Sequence, residues 1–221
     1  MKILGVLGGM GPAATLDFLA SLQAATPAVR DQDHLRVLVD INPQAPDRNA
    51  GDSAPGPVMA AMAVGLRNSG AQVLAIACNT AHAWADEIEA ASGLPLINMI
   101  TVACEAARDT GAVRVGVLGT ALAGSLYAGR LRAMGLEPVL PATGDTDAFM
   151  ALLYRIKAGD SGPDVTAGMA AVAGALIEAG AQAVIAGCTE VPLVLSAGAL
   201  SVPLIDAGRA LAERCVTACN G

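Results

Sequence analysis

Cys78-Asn79-Thr80-Ala81-His82 combines a thiol with two residues that favour helix starts and an imidazole four positions on. The run before it, residues 73–77, is continuously apolar and has the length of a strand buried on both faces of a parallel sheet. A thiol at the end of such a strand lies where α/β folds bind their ligands. Asn79 and Thr80 are residue types that cap helix N-termini, and a helix start offers free backbone N–H groups with a partial positive charge. Surroundings of that kind favour thiolate over thiol. Cysteine is also among the most commonly buried residue types, so this stretch alone leaves a packing role open.

A second copy strengthens the chemical reading. Gly70-Ala71-Gln72-Val73-Leu74-Ala75-Ile76-Ala77-Cys78 corresponds to Gly180-Ala181-Gln182-Ala183-Val184-Ile185-Ala186-Gly187-Cys188 at a spacing of 110 residues. Gly5-Val6-Leu7-Gly8-Gly9 is echoed by Gly116-Val117-Leu118-Gly119-Thr120 at 111, and Leu94-Pro95-Leu96-Ile97 by Val202-Pro203-Leu204-Ile205 at 108. Spacing this constant predicts a duplication, with a cysteine at a strand end in each half.

The elements that must hold these thiols alternate. In the first half, strands are expected at residues 3–7, 35–41, 73–77 and 94–97, with helices at 12–24, 58–68 and 81–90. In the second, strands at 114–118, 138–140 and 183–186 alternate with helices at 102–109, 125–134, 147–157 and 163–179. The fold class is therefore α/β: two similar domains, each a parallel sheet flanked by helices in a pseudo-twofold duplication, with the active site expected in the interdomain cleft. The expected domains are residues 1–98, with the last helix 207–221 packing back on them, and residues 99–206.

Composition excludes several function classes. Hydrophobic residues make up 54% and aromatics 2%, so the cores must be packed from Ala, Val, Leu and Ile around Phe18, Phe149, Trp84, Tyr127 and Tyr154. A formal charge of −7 speaks against nucleic acid or an anionic membrane as partner, since both need clustered basic residues. Lys2 precedes an apolar run at 3–7 that is shorter than a signal-peptide core and ends in Gly8-Gly9-Met10-Gly11-Pro12, so no secretion signal is expected. Residues 191–205 are too short and too broken by Pro192, Gly198 and Pro203 to span a bilayer. Five cysteines without dense spacing fit a reducing cytoplasm, and Cys104, Cys215 and Cys219 read as packing residues. Two histidines and no C-x-x-C spacing give no zinc site.

One motif supports a different protein. Gly9-Met10-Gly11-Pro12-Ala13-Ala14 fits the dinucleotide fingerprint, and Asp40 ends the next strand where a ribose-binding acid would sit. A nucleotide-cofactor oxidoreductase is thus one alternative, and a catalytically silent, two-lobed ligand-binding protein another. The duplicated turn Gly119-Thr120-Ala121-Leu122-Ala123-Gly124 lacks that glycine spacing, so a small anion shared by both turns accounts for both copies and a dinucleotide for one.

Gly8-Gly9-Met10-Gly11-Pro12, Asn42-Pro43-Gln44 with Pro46-Asp47-Arg48, Cys78-Asn79-Thr80-Ala81-His82, Gly119-Thr120, Ile156-Lys157 and Gly187-Cys188-Thr189-Glu190 together resemble the aspartate/glutamate racemase family, on the aspartate side of it. The resemblance covers essentially the whole chain, in order. It implies an isomerase with no cofactor and no metal, two domains closing on an amino-acid substrate, with dicarboxylic acids favoured, and a homodimer. It implies Cys78 and Cys188 as the catalytic pair, one thiolate taking the α-proton while the other thiol returns one to the opposite face. Met10, Arg48, Asn79, Thr80, Thr120, Lys157 and Thr189 become the substrate-binding residues, with Arg48 and Lys157 as carboxylate anchors. His82 and Glu190 support their cysteines: His82 by tuning or ordering its motif, Glu190 by orienting its turn, and a carboxylate beside Cys188 raises the thiol's ionisation unless paired. Stabilising the carbanion falls to helix-terminal N–H groups beyond the cysteines, to Asn79, Thr80 and Thr189, and to exclusion of water. Family members carry a further threonine shortly after the Gly-Thr turn; here Ala123-Gly124 stands there, with Ser125 as a possible substitute. Aspartate is the expected substrate, with glutamate or a broader set of amino acids as the alternative.

Overall fold

Continuous apolar strands need cover on both faces, and the chain provides it twice. The structure is a computed structural model and describes residues 1–50 and 54–221; part of the glycine- and proline-rich loop beyond Arg48, residues 51–53, lies outside the described residues. The chain divides into two compact units, Met1–Met99 with Gly208–Gly221, and Ile100–Ala207.

In the first unit, β1 (Leu4–Gly8), β2 (Val37–Ile41), β3 (Val73–Ile76) and β4 (Leu96–Ile97) form a parallel sheet of order β2-β1-β3-β4. It is accompanied by α1 (Pro12–Ala25), α2 (Pro55–Asn68) and α3 (Ala85–Ser92). In the second, β5 (Arg114–Leu118), β6 (Glu137–Val139), β7 (Ala183–Ala186) and β8 (Leu204–Asp206) repeat the arrangement as β6-β5-β7-β8. Its helices are α4 (Met99–Asp109), α5 (Ala121–Ala133), α6 (Thr143–Lys157) and α7 (Pro163–Glu178). The final helix, α8 (Ala207–Asn220), belongs almost entirely to the first unit, where the Lys2 N–H donates to the Cys219 carbonyl.

Two of the duplicated stretches form the central strands β1, β3, β5 and β7, and the third forms the edge strands β4 and β8. β1 and β3 are buried at every position, as is β7, whereas β2, β4 and β8 are only partly covered. Helix packing repeats to the residue. A Cβ on Gly5 would stand 2.8 Å from Ala71 Cβ and 3.3 Å from Leu66 Cβ; one on Gly116 would stand 3.1 Å from Ala181 Cβ and 3.3 Å from Leu176 Cβ. Only glycine lets α2 and α7 approach their sheets this closely. Gln72 and Gln182 also correspond, their Oε1 atoms accepting from the Ile3 and Arg114 N–H groups. One core gathers Leu7, Met59, Leu74, Ile76 and Ile88, the other Leu118, Phe149, Val165, Met169 and Leu176.

Element starts differ from expectation where side chains intervene. The helix expected at 81–90 is a 3-10 turn, Thr80–Trp84, followed by α3 from Ala85. The His82 imidazole takes the Cys78 and Asn79 carbonyls, which are the acceptors a first α-turn would use. Helix α5 begins at Ala121, not 125, because Thr120 is an N-cap whose Oγ1 accepts from the Ala123 N–H. Helices α2, α4 and α6 begin three or four residues before their expected starts at 58, 102 and 147, and β2 starts at Val37, not 35. In α2 the extension is compatible with Pro55 at the first helical position.

Gly9 has φ +90, and a Cβ there would lie 2.4 Å from the Asn42 carbonyl carbon. Gly9→Ala is expected to lower stability by about 3 kcal/mol through positive φ and overpacking. Gly65 sits on α2 with nothing among the described residues within 4 Å of an added Cβ, so Gly65→Ala is expected to raise stability by about 0.5–1 kcal/mol. Urea unfolding midpoints check both; shifts of equal sign would contradict this turn geometry.

Candidate active site

Parallel pairing brings the ends of neighbouring strands to one edge of each sheet. In the first unit, β1 and β3 run side by side and the Ala77 N–H donates to the Leu7 carbonyl, so the Gly8-Gly9-Met10 turn and Cys78 share an edge. The turn is tied from below by Thr15, which accepts from the Gly9 N–H at 2.9 Å and donates to the Gly11 carbonyl at 2.9 Å. Sequence reasoning passed over Thr15, whose place inside a helix gives no sign of a turn contact.

Arg48 reaches the same turn. Its Nη1 donates to the Pro46 carbonyl at 2.8 Å and the Ala45 carbonyl at 3.3 Å, and its Nη2 to the Met10 carbonyl at 3.3 Å. Its Nε–H is buried and finds no acceptor among the described residues. The Met10 side chain packs into the core and contributes its carbonyl to the site.

Cys78 is 4% exposed, with Sγ 3.5 Å from Thr80 Oγ1. Asn79 is buried in helical backbone conformation and makes no side-chain cap. This corrects the expected capping role. The turns after Cys78 and Cys188 are 3-10 turns of five and three residues, Thr80–Trp84 and Val191–Leu193, so no aligned α-helix dipole begins directly at either thiol.

His82 is buried and has a defined tautomer. Its Nε2 accepts from the Met99 N–H at 3.1 Å, so the ring proton is on Nδ1, which donates to the Cys78 carbonyl at 2.9 Å. Burial lowers its pKa to about 4, against smaller upward contributions from the Cys78 and Asn79 carbonyls. His82 thus joins the Cys78 backbone to the start of α4 as a neutral ring.

In the second unit, a Cβ on Gly119 would lie 2.9 Å from the Gly187 carbonyl oxygen, so the Gly119-Thr120 turn touches the Gly187-Cys188 backbone directly. Cys188 is partly buried, and its Sγ–H donates to Glu190 Oε2 at 2.9 Å. Thr189 Oγ1 donates to the same oxygen at 3.2 Å, and Lys157 Nζ to Oε1 at 2.7 Å. Desolvation, then the Glu190 charge and hydrogen bond, push the Cys188 thiol well above its ordinary pKa, with Lys157 acting in the opposite direction. The Lys157 assigned to a substrate carboxylate is therefore ion-paired within the protein. Ser125 does not replace the missing threonine: it is exposed and donates to the Ala121 carbonyl one turn back. Tyr127, fully buried, lies under Gly187, its Cε2 3.5 Å from where a Cβ would stand.

Cys104, Cys215 and Cys219 are buried, and burial raises Cys104 to about 12. Among the described residues no group of three His, Cys, Asp or Glu could hold a metal ion, and no helix is long and apolar enough to cross a membrane.

Two parallel α/β halves, each with a cysteine beyond a central strand, are the architecture of racemases that need no pyridoxal phosphate. The chain matches the Asp/Glu/Hydantoin racemase family over residues 7–215 and belongs to it. It is an isomerase of the amino-acid racemase type, which replaces the oxidoreductase reading of residues 9–14. The chain is 25% identical over 227 residues to the broad specificity amino-acid racemase RacX of Bacillus subtilis, covering 97% of each. It is 34% identical over 156 residues to glutamate racemase of Pseudomonas aeruginosa, covering 67% of this chain and 58% of that one. The Picrophilus torridus aspartate racemase structure superposes with a TM-score of 0.84 at 29% identity, covering 100% of this chain and 95% of that one.

The neutral His82 stabilises the fold in a pH-dependent way. Its folded pKa lies below the unfolded value of 6.5, so the unfolded chain takes up the proton first as the pH falls. The contribution is full above about 6.5 and lost between there and about 4, amounting to about 3 kcal/mol. Stability measured against pH for the protein and for His82→Gln should converge toward pH 4; a constant difference would contradict the buried neutral ring.

Proposed function

We propose that the protein interconverts L- and D-aspartate, with Cys78 and Cys188 acting on opposite faces of the α-carbon. The observation that carries this reading is the duplicated placement of the thiols. Each follows a buried central strand, 110 residues from the other, beside the turn that ends the neighbouring strand. Inversion needs a base on one face and an acid on the other, because a single base mostly returns the proton it took. Cys188, hydrogen-bonded through its own proton, is suited to the acid role.

The α-proton is far less acidic than a thiol, so the developing carbanion requires electrostatic stabilisation from groups held in advance. Thr80 at Cys78 and Thr189 at Cys188 are polar groups already fixed beside the sulfurs or their partners. A substrate carboxylate fits Arg48, whose buried Nε–H is the kind of donor that a charged acceptor satisfies in a forked geometry. The full-length likeness to an aspartate racemase supports aspartate. A broader amino-acid range is the second reading, supported by the likeness to RacX and by the pairing of Lys157 with Glu190, which already compensates one of the two anchor charges.

Purified protein incubated with L-aspartate in deuterium oxide should place deuterium at the α-carbon and form D-aspartate. Cys78→Ser and Cys188→Ser should each lower racemisation by about 10³-fold. Full activity in either variant would sink the two-thiol mechanism, and exchange confined to other amino acids would sink the aspartate assignment.

A further inference from the structure

The two thiols have different surroundings, and the difference fixes where a proton rests. At Cys78 the nearby polar partners are the Thr80 hydroxyl and the neutral His82 ring, which bonds the Cys78 carbonyl. At Cys188 the partner is a carboxylate that can only accept, so the 2.9 Å contact requires a hydrogen on sulfur. We propose that Glu190, charge-balanced by Lys157, is a positioning residue that keeps the resting proton on Cys188, making Cys188 the acid and Cys78 the base of the first turnover. This rests on the two-thiol reading above.

In that turnover the α C–H bond breaks, its proton passes to the Cys78 thiolate and the electron pair stays on carbon. The Cys188 S–H bond then breaks, its proton goes to the opposite face, and a thiolate remains on Cys188. That thiolate stands beside the Glu190 carboxylate with Lys157 as the cation opposite, so recovery of a proton from solvent by Cys188, with loss of one from Cys78, restores the resting form. The groups facing Cys188 are Glu190 on its own loop, Lys157 from α6 and the buried phenol of Tyr127 from α5, which in turn lies near Cys104 of α4 and Asp206 of β8. Burial keeps that phenol protonated, so Glu190 is the anion that acts on the sulfur.

The test reads the sulfur directly. In a Cys78→Ser background, the rate of Cys188 alkylation by iodoacetamide is followed against pH by peptide mass, in folded protein checked by circular dichroism. Glu190→Gln, which preserves shape and removes the charge, should raise that rate at pH 8 about tenfold or more, as one unit of thiol ionisation requires. Lys157→Met should lower it and Lys157→Arg restore it. An unchanged rate in Glu190→Gln, or a faster one in Lys157→Met, would overturn the proposal. In the two-cysteine protein, Glu190→Gln should also change kcat for the two enantiomers unequally, with KM following. The equilibrium constant of one between enantiomers holds the two kcat/KM values equal whatever the mutation. Equal kcat changes in both directions would likewise count against the assignment. Absence of α-proton exchange with every amino acid would remove the racemase reading, while the alkylation rates still decide where the proton rests.

Discussion

A carboxylate with 4% of its side chain exposed must find donors for its charge, and among the described residues Glu190 has three: Lys157 at 2.7 Å, Cys188 at 2.9 Å and Thr189 at 3.2 Å. A buried ion pair of this kind is weak evidence for stability, since desolvation offsets most of its attraction. Its consequence is positional. It requires α6 to deliver Lys157 at its last turn, and the fold arranges this locally: Arg155 bridges Asp160 and Asp164 across the connection to α7, while Asp160 accepts from the Gly162 N–H. Those exposed pairs contribute little energy individually; α6 stops ahead of Gly159, whose φ of +92 does not continue a helix.

The duplicated halves have diverged around their two strand-end cysteines. Their strands, their glycine close approaches and their Gln72 and Gln182 contacts still correspond. In the turns directly after the cysteines the correspondence lapses, to resume at β4 and β8. One half places a neutral imidazole four residues on and turns it back to the Cys78 carbonyl; the other places a carboxylate two residues on and aims it at the sulfur. A duplicated scaffold thus holds two thiols in unlike electrostatic surroundings, the condition that the proposed acid and base roles require.

Arg48 and Lys157 show how cations can be held ready for carboxylates. Arg48 is fixed by backbone carbonyls, which bear no net charge and, among the described residues, leave its own charge uncompensated. Lys157 is fixed by a carboxylate, which does not. Two cations that look alike in the sequence therefore differ in how strongly they can attract an anion, a difference in charge balance and not in position along the chain.

By itself, the sequence determined the two halves, their parallel α/β elements, the placement of Cys78 and Cys188 at strand ends and the family. The first three are properties of local apolar runs and of a repeat spacing, both of which survive without knowledge of partners, and the family is legible in the motifs that carry the resemblance. The turn after Cys78 was not legible: His82 reaches back to the Cys78 and Asn79 carbonyls, and the residues that suggested an α-helix start form a 3-10 turn. Nor were the Thr15 hydroxyl under Gly9, the Arg48 contact to Met10 38 residues away, or the Lys157 to Glu190 pair across 33 residues. Only the tertiary structure decided these, because hydrogen bonds and charge pairs act over a few ångströms in space, and which distant groups come that close is set by how strands and helices pack.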